Sequence, residues 1–379
     1  MQYEWINNVA DMTPDHTIIC FDNNFDQKIE PNSLPDNLTT LKFRNDFNQK
    51  IESDTLPKNL TTLTFGDKFN RKIEPNSLPE KLTTLTFGYE FNQKIEPNTL
   101  PENLTTLEFG YMFNQKIEPN TLPENLLKLT FERNFNQKIE PNTLPENLLI
   151  LIFGRIFNQK IEPNTLPKNI LTLIFGYEFN QKIEPNTLPE KLTTLRFEWG
   201  FDQKIEPNTL PENVLSLTFG TYFNKKIEPN ILPKMLTTLT FGCFFNQKIE
   251  PNTLPENLTT ITFGWYFNQK IGSDILPENL KNINFDWSVS NIILVNDSKM
   301  EMVNNISKYY NVILYLQNNI FDTSGSKWPI HVINYKETNW SSEIYDVIDK
   351  YIHPIYREIT IVINKETYQP FSYAKSALK

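Results

Sequence analysis

The chain has 379 residues, with 36 lysines and arginines against 45 aspartates and glutamates, which gives a formal net charge of −9. An acidic balance argues against a nucleic-acid partner, because such partners favour a basic surface, and against docking on an anionic membrane. Phenylalanine (28 copies) and proline (26 copies) are frequent, a profile that is unusual for an enzyme domain.

The N-terminal segment, residues 1–16, has no uninterrupted apolar stretch of the kind found in a secretory signal, and we interpret it as a cap. No later stretch has the length of a membrane span. Cys20 and Cys243 lie far apart in the sequence, so we expect no disulfide and a reducing compartment. These features predict a cytoplasmic protein.

Residues 17–285 repeat one 22-residue unit 12 times without an insertion. A Phe-Asn or Phe-Asp dipeptide recurs from Phe25 to Phe267, and another phenylalanine stands four residues ahead of each. A unit reads L-x-x-L-x-F-x-x-x-F-N-x-x-I-x-x-x-x-L-P. Since one unit cannot bury its own leucine, phenylalanine and isoleucine side chains, neighbouring units must stack. The repeat therefore predicts a solenoid.

Each unit is expected to contribute one short strand. The L-x-x-L-x-F segment ends in the alternation of a strand with one buried face, as in leucine-rich repeats. Two prolines in most units exclude a regular helix from the second half, which we expect to be extended or polyproline-like. The predicted fold is a leucine-rich-repeat-like solenoid with a parallel concave β-sheet and an irregular convex side.

Three polar or small columns of the repeat have structural interpretations. The Asn after the second Phe is predicted to donate to and accept from buried backbone groups. A Gly follows the first Phe in eight units, from Gly66 to Gly264, which indicates a positive φ or a close backbone approach. The Asn-x-Thr sequons at Asn37, Asn59, Asn103 and Asn257 share one repeat position and are also interpreted as structural.

The F-G-x-x-F-N-x-x-I-x-x-x-x-L-P pattern resembles the FNIP repeat, a leucine-rich-repeat variant of amoebae and their giant viruses. The near-identical FNQKIEPNTLPENL segments are most similar to the giant-virus members. The resemblance implies a solenoid with a protein-interaction role. Many members carry an F-box ahead of the repeats, which implies recruitment to a ubiquitin ligase, but the segment before the first Phe column is too short for one.

Variation between units is concentrated at two places: the pair of residues after the Gly, and the outward positions of the strand. Exposed aromatic side chains and apolar patches are typical of protein interfaces, so these positions predict a partner-binding rim and concave face. The alternative is drift in a tolerant turn whose aromatic side chains cover the Phe columns. The candidate binding residues are Tyr89, Tyr111, Ile150, Ile152, Ile156, Ile174, Tyr177, Trp199, Tyr222, Phe244, Trp265 and Tyr266.

Residues 286–379 lack the repeat and predict a small α/β module that caps the solenoid or forms a second docking site. We expect strands at 291–296, 312–317, 330–335 and 359–365, and helices at 298–310 and 342–357. His353 is interpreted as structural and Asp346 as part of a solvated helix face, and the segment contains no cysteine for a Cys/His zinc site.

The sequence therefore predicts a non-enzymatic scaffold with no cofactor and no metal. Its partner is expected to be a host protein, met in the host cell cytoplasm if the chain is viral, with no nucleic acid, membrane or small-molecule substrate. Three alternatives stay open: an adaptor that recruits a partner to a host ubiquitin ligase through residues 286–379, a self-associating structural component, and an enzyme within residues 286–379.

Overall fold

The computed structural model describes residues 5–267, 269–272, 275–285, 293–295, 330–332, 359–361 and 371–372. The chain divides into two compact units, Met1–Ser216 and Leu217–Lys379, which we call the N-terminal unit and the C-terminal unit. The division falls inside the repeat array, between two residues of one short strand, β11 (Ser216–Thr218).

The N-terminal unit is a parallel β-solenoid with one strand per repeat. Its single helix among the described residues is a 3₁₀ turn, Val9–Asp11. The strands are β1 (Trp5–Ile6), β2 (Ile18–Phe21), β3 (Thr40–Lys42), β4 (Thr62–Thr64), β5 (Thr84–Thr86), β6 (Thr106–Glu108), β7 (Lys128–Thr130), β8 (Ile150–Ile152), β9 (Thr172–Phe175) and β10 (Thr194–Phe197).

Each strand from β2 to β9 pairs in parallel with the strand one repeat later, in the register of the repeat. Leu41 of β3 is level with Leu63 of β4, which in turn is level with Leu85 of β5. The first strand, β1, extends the sheet beyond the repeats by pairing with β2, with Trp5 level with Cys20. One repeat is therefore one turn of the solenoid, and the predicted fold class is confirmed.

The described part of the C-terminal unit continues with the same kind of turn. The strands β12 (Thr238–Thr240) and β13 (Thr260–Phe263) pair in parallel, and β13 pairs with β15 (Asn282–Phe285). Outside that sheet, β14 (Lys270–Gly272) pairs with β16 (Ile293–Val295), while β17 (Ile330–Val332), β18 (Ile359–Ile361) and β19 (Phe371–Ser372) form a small mixed sheet.

Short strands thus lie within three of the four strand segments predicted beyond residue 286. The predicted helices at 298–310 and 342–357 and the predicted strand at 312–317 lie outside the described residues, as do Asp346 and His353. The α/β character of residues 286–379, its capping role and the adaptor and enzyme alternatives that depend on it stay predictions.

The core of each unit consists of columns of leucine, phenylalanine and isoleucine. The middle leucine of each strand is fully buried, and so are both phenylalanines of the turn. Within one turn the rings of Phe87 and Phe91 stack at 3.8 Å between centroids, and Phe87 also lies 5.7 Å from Phe109 of the next turn. Offset-stacked pairs of this kind add to the free energy gained by burial, and they repeat turn after turn.

The return segment of each turn is irregular, as predicted, and its prolines occupy tight turns. In the segment Glu96-Pro97-Asn98-Thr99, the amide of Thr99 donates to the carbonyl of Glu96 at 3.3 Å, and Asn98 has a φ of 62°. Proline followed by a residue with positive φ is the pattern of a type II turn, and asparagine tolerates that conformation better than most residues. The repeated Pro-Asn pair is therefore explained by turn geometry.

The composition of the glycine column is explained by a close backbone approach, and neither Gly110 nor Gly176 has a φ in the left-handed region. A Cβ added at Gly176 would lie 1.7 Å from the carbonyl oxygen of Gly154 on the preceding turn. Gly110 meets Gly88 in the same way, also at 1.7 Å. Both obstacles are backbone atoms, which cannot move aside as a flexible side chain could.

The asparagine column accepts hydrogen bonds along the solenoid. The Oδ1 atom of Asn136 accepts from the backbone amide of Asn158 on the next turn at 2.9 Å and from Nε2 of Gln159 at 3.1 Å. Asn136 and Asn158 are half-buried, and both accept through Oδ1 from the asparagine amide of the next turn, which is the acceptor part of the predicted role. Asp26 accepts from the amide of Asn48 at 2.8 Å, so a carboxylate can occupy the same position.

Three of the four sequon asparagines make hydrogen bonds that hold neighbouring turns together, as their structural interpretation predicts. Nδ2 of Asn59 donates to the carbonyl of Asp36 at 2.9 Å, and Asn103 and Asn257 make the equivalent bonds to Glu80 and Lys234. The cysteines are both free, and burial raises the pKa of the Cys20 thiol.

We expect Asn136→Ala to lower the free energy of unfolding by about 1–3 kcal/mol, because the amide of Asn158 would lose its acceptor inside the solenoid. Asn136→Asp keeps the acceptor and should cost clearly less, as the position of Asp26 indicates. Urea denaturation of both variants measures the difference. Equal losses would show that the acceptor oxygen is not what the column provides.

We expect Gly176→Ala to destabilise the protein by about 1–3 kcal/mol, since the new Cβ collides with the carbonyl of Gly154. Glu132→Ala is the matched control: it lies in the same column, where the natural residue already carries a Cβ, and its side chain is exposed. That variant should stay within about 0.5 kcal/mol of the wild type. A Gly176→Ala protein as stable as the control would contradict the close-approach explanation.

Candidate protein-interaction surface

The predicted binding residues fall into two groups, one in each unit. The N-terminal unit carries Tyr89, Tyr111, Ile150, Ile152, Ile156, Ile174, Tyr177 and Trp199, and the C-terminal unit carries Tyr222, Phe244, Trp265 and Tyr266. Each group forms its own candidate surface. Their role in binding stays a prediction.

The backbone beyond each strand brings equivalent residues of consecutive turns into register. The amide of Glu90 donates to the carbonyl of Asp67 at 2.7 Å, and the amide of Met112 donates to the carbonyl of Tyr89 at 2.9 Å. Because the same bond recurs on successive turns, side chains at the position after the glycine stand one above another. We call this column in the N-terminal unit, from Tyr89 to Trp199, the rim column.

The rim column has aromatic residues at both ends. The rings of Tyr89 and Tyr111 stack at 4.4 Å with 14° between their planes, and Tyr177 lies 5.5 Å from Trp199 in a tilted arrangement. Each ring of the tyrosine pair covers a face of the other. The surface therefore presents ring edges and hydroxyl groups as well as apolar area.

The centre of the rim column is basic, which the sequence analysis did not predict. Arg133 lies over the ring of Tyr111 at 5.0 Å and donates to its hydroxyl oxygen, and Arg155 lies over Tyr177 at 5.6 Å. The order along the column is thus Tyr, Tyr, Arg, Arg, Tyr, Trp. The two adjacent arginines are visible in the sequence when this one repeat position is compared between successive units.

The concave face of the same unit carries an apolar patch that is wider than predicted. Ile150 and Ile152 of β8 and Ile174 of β9 occupy half-exposed outward positions of the sheet, as predicted. Next to them, at the position before each strand, lie Leu127, Leu149 and Leu171. Leu127 is 41% exposed and Leu171 is 38% exposed.

Most other turns place threonine at this position, and its hydroxyl stabilises the fold. The Oγ1 atom of Thr61 donates to the carbonyl of Thr39 at 3.0 Å, and that of Thr83 donates to the carbonyl of Thr61 at 3.1 Å. Leucine cannot make this bond. The three consecutive leucines therefore replace a hydrogen bond of the fold with exposed apolar surface, and the sequence analysis missed this signal.

The C-terminal unit carries a second aromatic column, two residues after the glycine. Tyr222 stacks on Phe244 at 5.1 Å, and Phe244 stacks on Tyr266 at 5.0 Å, with planes within 9° and 6°. All three side chains are exposed, Tyr266 most of all at 53%. Trp265, in the neighbouring column, is exposed as well.

The described residues hold neither a metal-binding cluster nor a membrane-spanning helix. They contain no group of three or more His, Cys, Asp or Glu side chains arranged to hold a metal ion. No helix in that part of the chain is both long and apolar enough to cross a membrane.

We expect Tyr89→Ala to cost only about 0.5–1.5 kcal/mol of folding free energy, because the ring is 46% exposed and loses a single stacking partner. Phe91→Ala, two residues later in the same turn, removes a fully buried ring and should cost about 3–5 kcal/mol. The midpoints of urea denaturation compare the two. Similar midpoints would mean that the rim column belongs to the core.

Comparison with known proteins agrees with this architecture. A model of the FNIP repeat matches the chain nine times, at residues 17–46, 25–68, 47–90, 69–112, 91–134, 113–155, 157–198, 201–244 and 245–288. A search of curated proteins finds no match.

A solved crystal structure is also similar: CroV588, from a giant virus, described as a novel circular LRR protein structure. The two chains are 48% identical over 74% of this chain and superpose with a TM-score of 0.72. This chain spans only 41% of the length of that protein. Since the family model matches well over half of the residues, the chain belongs to the FNIP repeat family.

Proposed function

We propose that this protein is a non-enzymatic scaffold that binds a protein partner through the concave face and the aromatic columns of its repeats. The observation that carries the proposal is the placement of exposed apolar side chains. Among the described residues, every exposed large apolar side chain except Met235 lies just before a strand or in the turn that follows one. Such concentrated apolar area is typical of a protein-binding surface.

The return side of each turn has the opposite character. Lys94 and Glu96 form an exposed ion pair at 3.2 Å, and Lys116 and Glu118 repeat it on the next turn. Exposed pairs of this kind contribute little to stability and keep a surface well hydrated. The contrast between the two sides supports a partner that approaches the strands and their rims.

Binding would need no chemistry from the protein. A solenoid of this family is typically a scaffold, and its backbone ladder holds the surface side chains in place before the partner arrives. Affinity would come from many modest contacts on a preorganised surface, which lowers the entropic cost of association. The partner class that we propose is a host protein, met in the cytoplasm.

The test is a pull-down from an amoebal lysate with the full chain as bait. One variant removes exposed rings of the N-terminal unit (Tyr89→Ala, Tyr177→Ala and Trp199→Ala), and another those of the C-terminal unit (Tyr222→Ala, Phe244→Ala and Tyr266→Ala). The control variant changes Lys94, Lys116 and Lys138 to Ala on the return side. Circular dichroism establishes that each variant is folded.

We expect a protein that the wild type and the control retain, and that at least one ring variant loses. The variant that loses it identifies the unit that binds. Recovery of the same proteins at the same level by all four baits would contradict the proposed surface.

A further inference from the structure

The two arginines of the rim column differ from three other basic side chains around the strands of the N-terminal unit. Lys68 is paired with Asp46 at 2.7 Å, Lys128 with Glu108 at 2.6 Å, and Arg196 with Glu198 at 2.8 Å. In contrast, no carboxylate in the described part of the chain forms an ion pair with Arg133 or Arg155. Both guanidinium groups lie over tyrosine rings instead.

The position of these arginines leaves their charge available to a ligand. Arg133 uses one Nη1 donor on the Tyr111 hydroxyl, but a guanidinium group has five N–H donors, so both arginines keep donors with which to bind a carboxylate. The two groups stand on adjacent turns, whose strands are spaced by about 4.8 Å. Arg133 lies over Tyr111 of the preceding turn and Arg155 over Tyr177 of the following turn, so a segment that carries several carboxylates can contact both groups.

The apolar patch of the concave face lies on the same turns as the arginine pair. Leu149, Ile150 and Ile152 belong to one turn, and Arg155 follows Ile152 by three residues, a span of at most about 11 Å. From Leu149 to Arg155 the surface is about 20 Å long at most, which corresponds to about six residues of extended peptide. Leu127 and Leu171 widen it by one turn on each side.

We propose that residues 126–175 form a docking site for a peptide segment of a partner protein that combines apolar side chains with a cluster of carboxylates. The apolar side chains cover the leucines and isoleucines of the concave face, and the carboxylates bind Arg133 and Arg155 at its edge. This inference rests on the proposed function and specifies the chemistry of the partner. It also assigns a role to a basic site in a chain whose net charge is −9.

The leucine column supports a docking role because it is not required by the fold. Thr105 on the preceding turn donates to the carbonyl of Thr83 at 3.1 Å, and Thr193 on the following turn donates to the carbonyl of Leu171 at 3.0 Å. Threonine is therefore compatible with the turns on both sides. Its replacement by leucine on three consecutive turns removes the hydroxyl that makes this bond and places partly exposed apolar side chains on the surface.

The test selects peptides from a random dodecapeptide display library on the immobilised full chain and then measures their affinity by fluorescence anisotropy. The apolar variant changes Leu127, Leu149 and Leu171 to Thr, the residue of the neighbouring turns, so it is expected to fold. The charge variant combines Arg133→Gln with Arg155→Gln. The controls are Leu215→Thr, in the same column outside the patch, and Arg196→Gln, which removes an arginine that is already ion-paired.

We expect the wild type to select peptides enriched in both carboxylates and large apolar residues. Each of the two site variants should weaken their binding at least about tenfold, or about 1.4 kcal/mol, while the controls bind like the wild type. The charge variant should also abolish the salt dependence of binding. Combining Arg133→Glu with Arg155→Glu and repeating the selection should enrich lysine and arginine in place of the acids.

Three results would overturn the inference: selected peptides without acidic enrichment, peptides whose affinity neither site variant changes, and no enrichment over a bare surface. In each case the pull-down decides the broader proposal separately. If a ring variant loses a protein partner in the pull-down, the scaffold function is supported without this peptide site. If all baits retain the same proteins at the same level, both proposals are wrong.

Discussion

The structure depends on hydrogen bonds between equivalent residues of consecutive turns. A short strand, a tight turn and an irregular return cannot satisfy their own backbone groups, and those that face the interior cannot reach water. Here the amide of one residue meets the carbonyl, or the side-chain oxygen, of its counterpart 22 residues earlier, as Asn158 meets Asn136 at 2.9 Å. A hydrogen bond that forms between one pair of turns can form between every pair, as long as the repeat length does not change.

This dependence explains which residues of the repeat vary little. The backbones approach so closely at the glycine column that a Cβ at Gly110 would lie 1.7 Å from the carbonyl oxygen of Gly88. The proline and asparagine of the return hold a turn with positive φ, and the paired phenylalanines fill the interior. The outward strand positions and the residues after the glycine carry fewer of these constraints, so their side chains can differ without disturbing the ladder.

The same ladder gives the surface its character. Because equivalent residues are held in register, a side chain contacts the equivalent side chain of the neighbouring turn. Tyr89 stacks on Tyr111 in this way, and Arg133 lies over the ring of Tyr111. A run of similar residues therefore becomes a rigid surface feature, whereas a lone substitution does not. The three successive leucines and the two successive arginines of the N-terminal unit are such runs. They distinguish one part of a nearly uniform array, and the docking site that we propose lies there.

Membership of the FNIP repeat family and the likeness to a circular LRR protein support a scaffold, but they do not specify the partner. In this family the return segments are poor guides to specificity, since they serve the fold. The proposed binding residues lie at the positions where neighbouring turns differ.

The sequence by itself determined the period, the parallel register and the buried columns, because a strict repeat makes stacking the single way to bury leucine, phenylalanine and isoleucine. It also indicated Ile150, Ile152 and Tyr177 as surface positions. The tertiary structure decided how neighbouring turns meet: that glycine is needed for close approach, that asparagine acts as an acceptor, that Leu127 is exposed and that Arg155 stacks on Tyr177. These properties depend on contacts between residues 22 positions apart and on side-chain rotamers, which local periodicity does not encode.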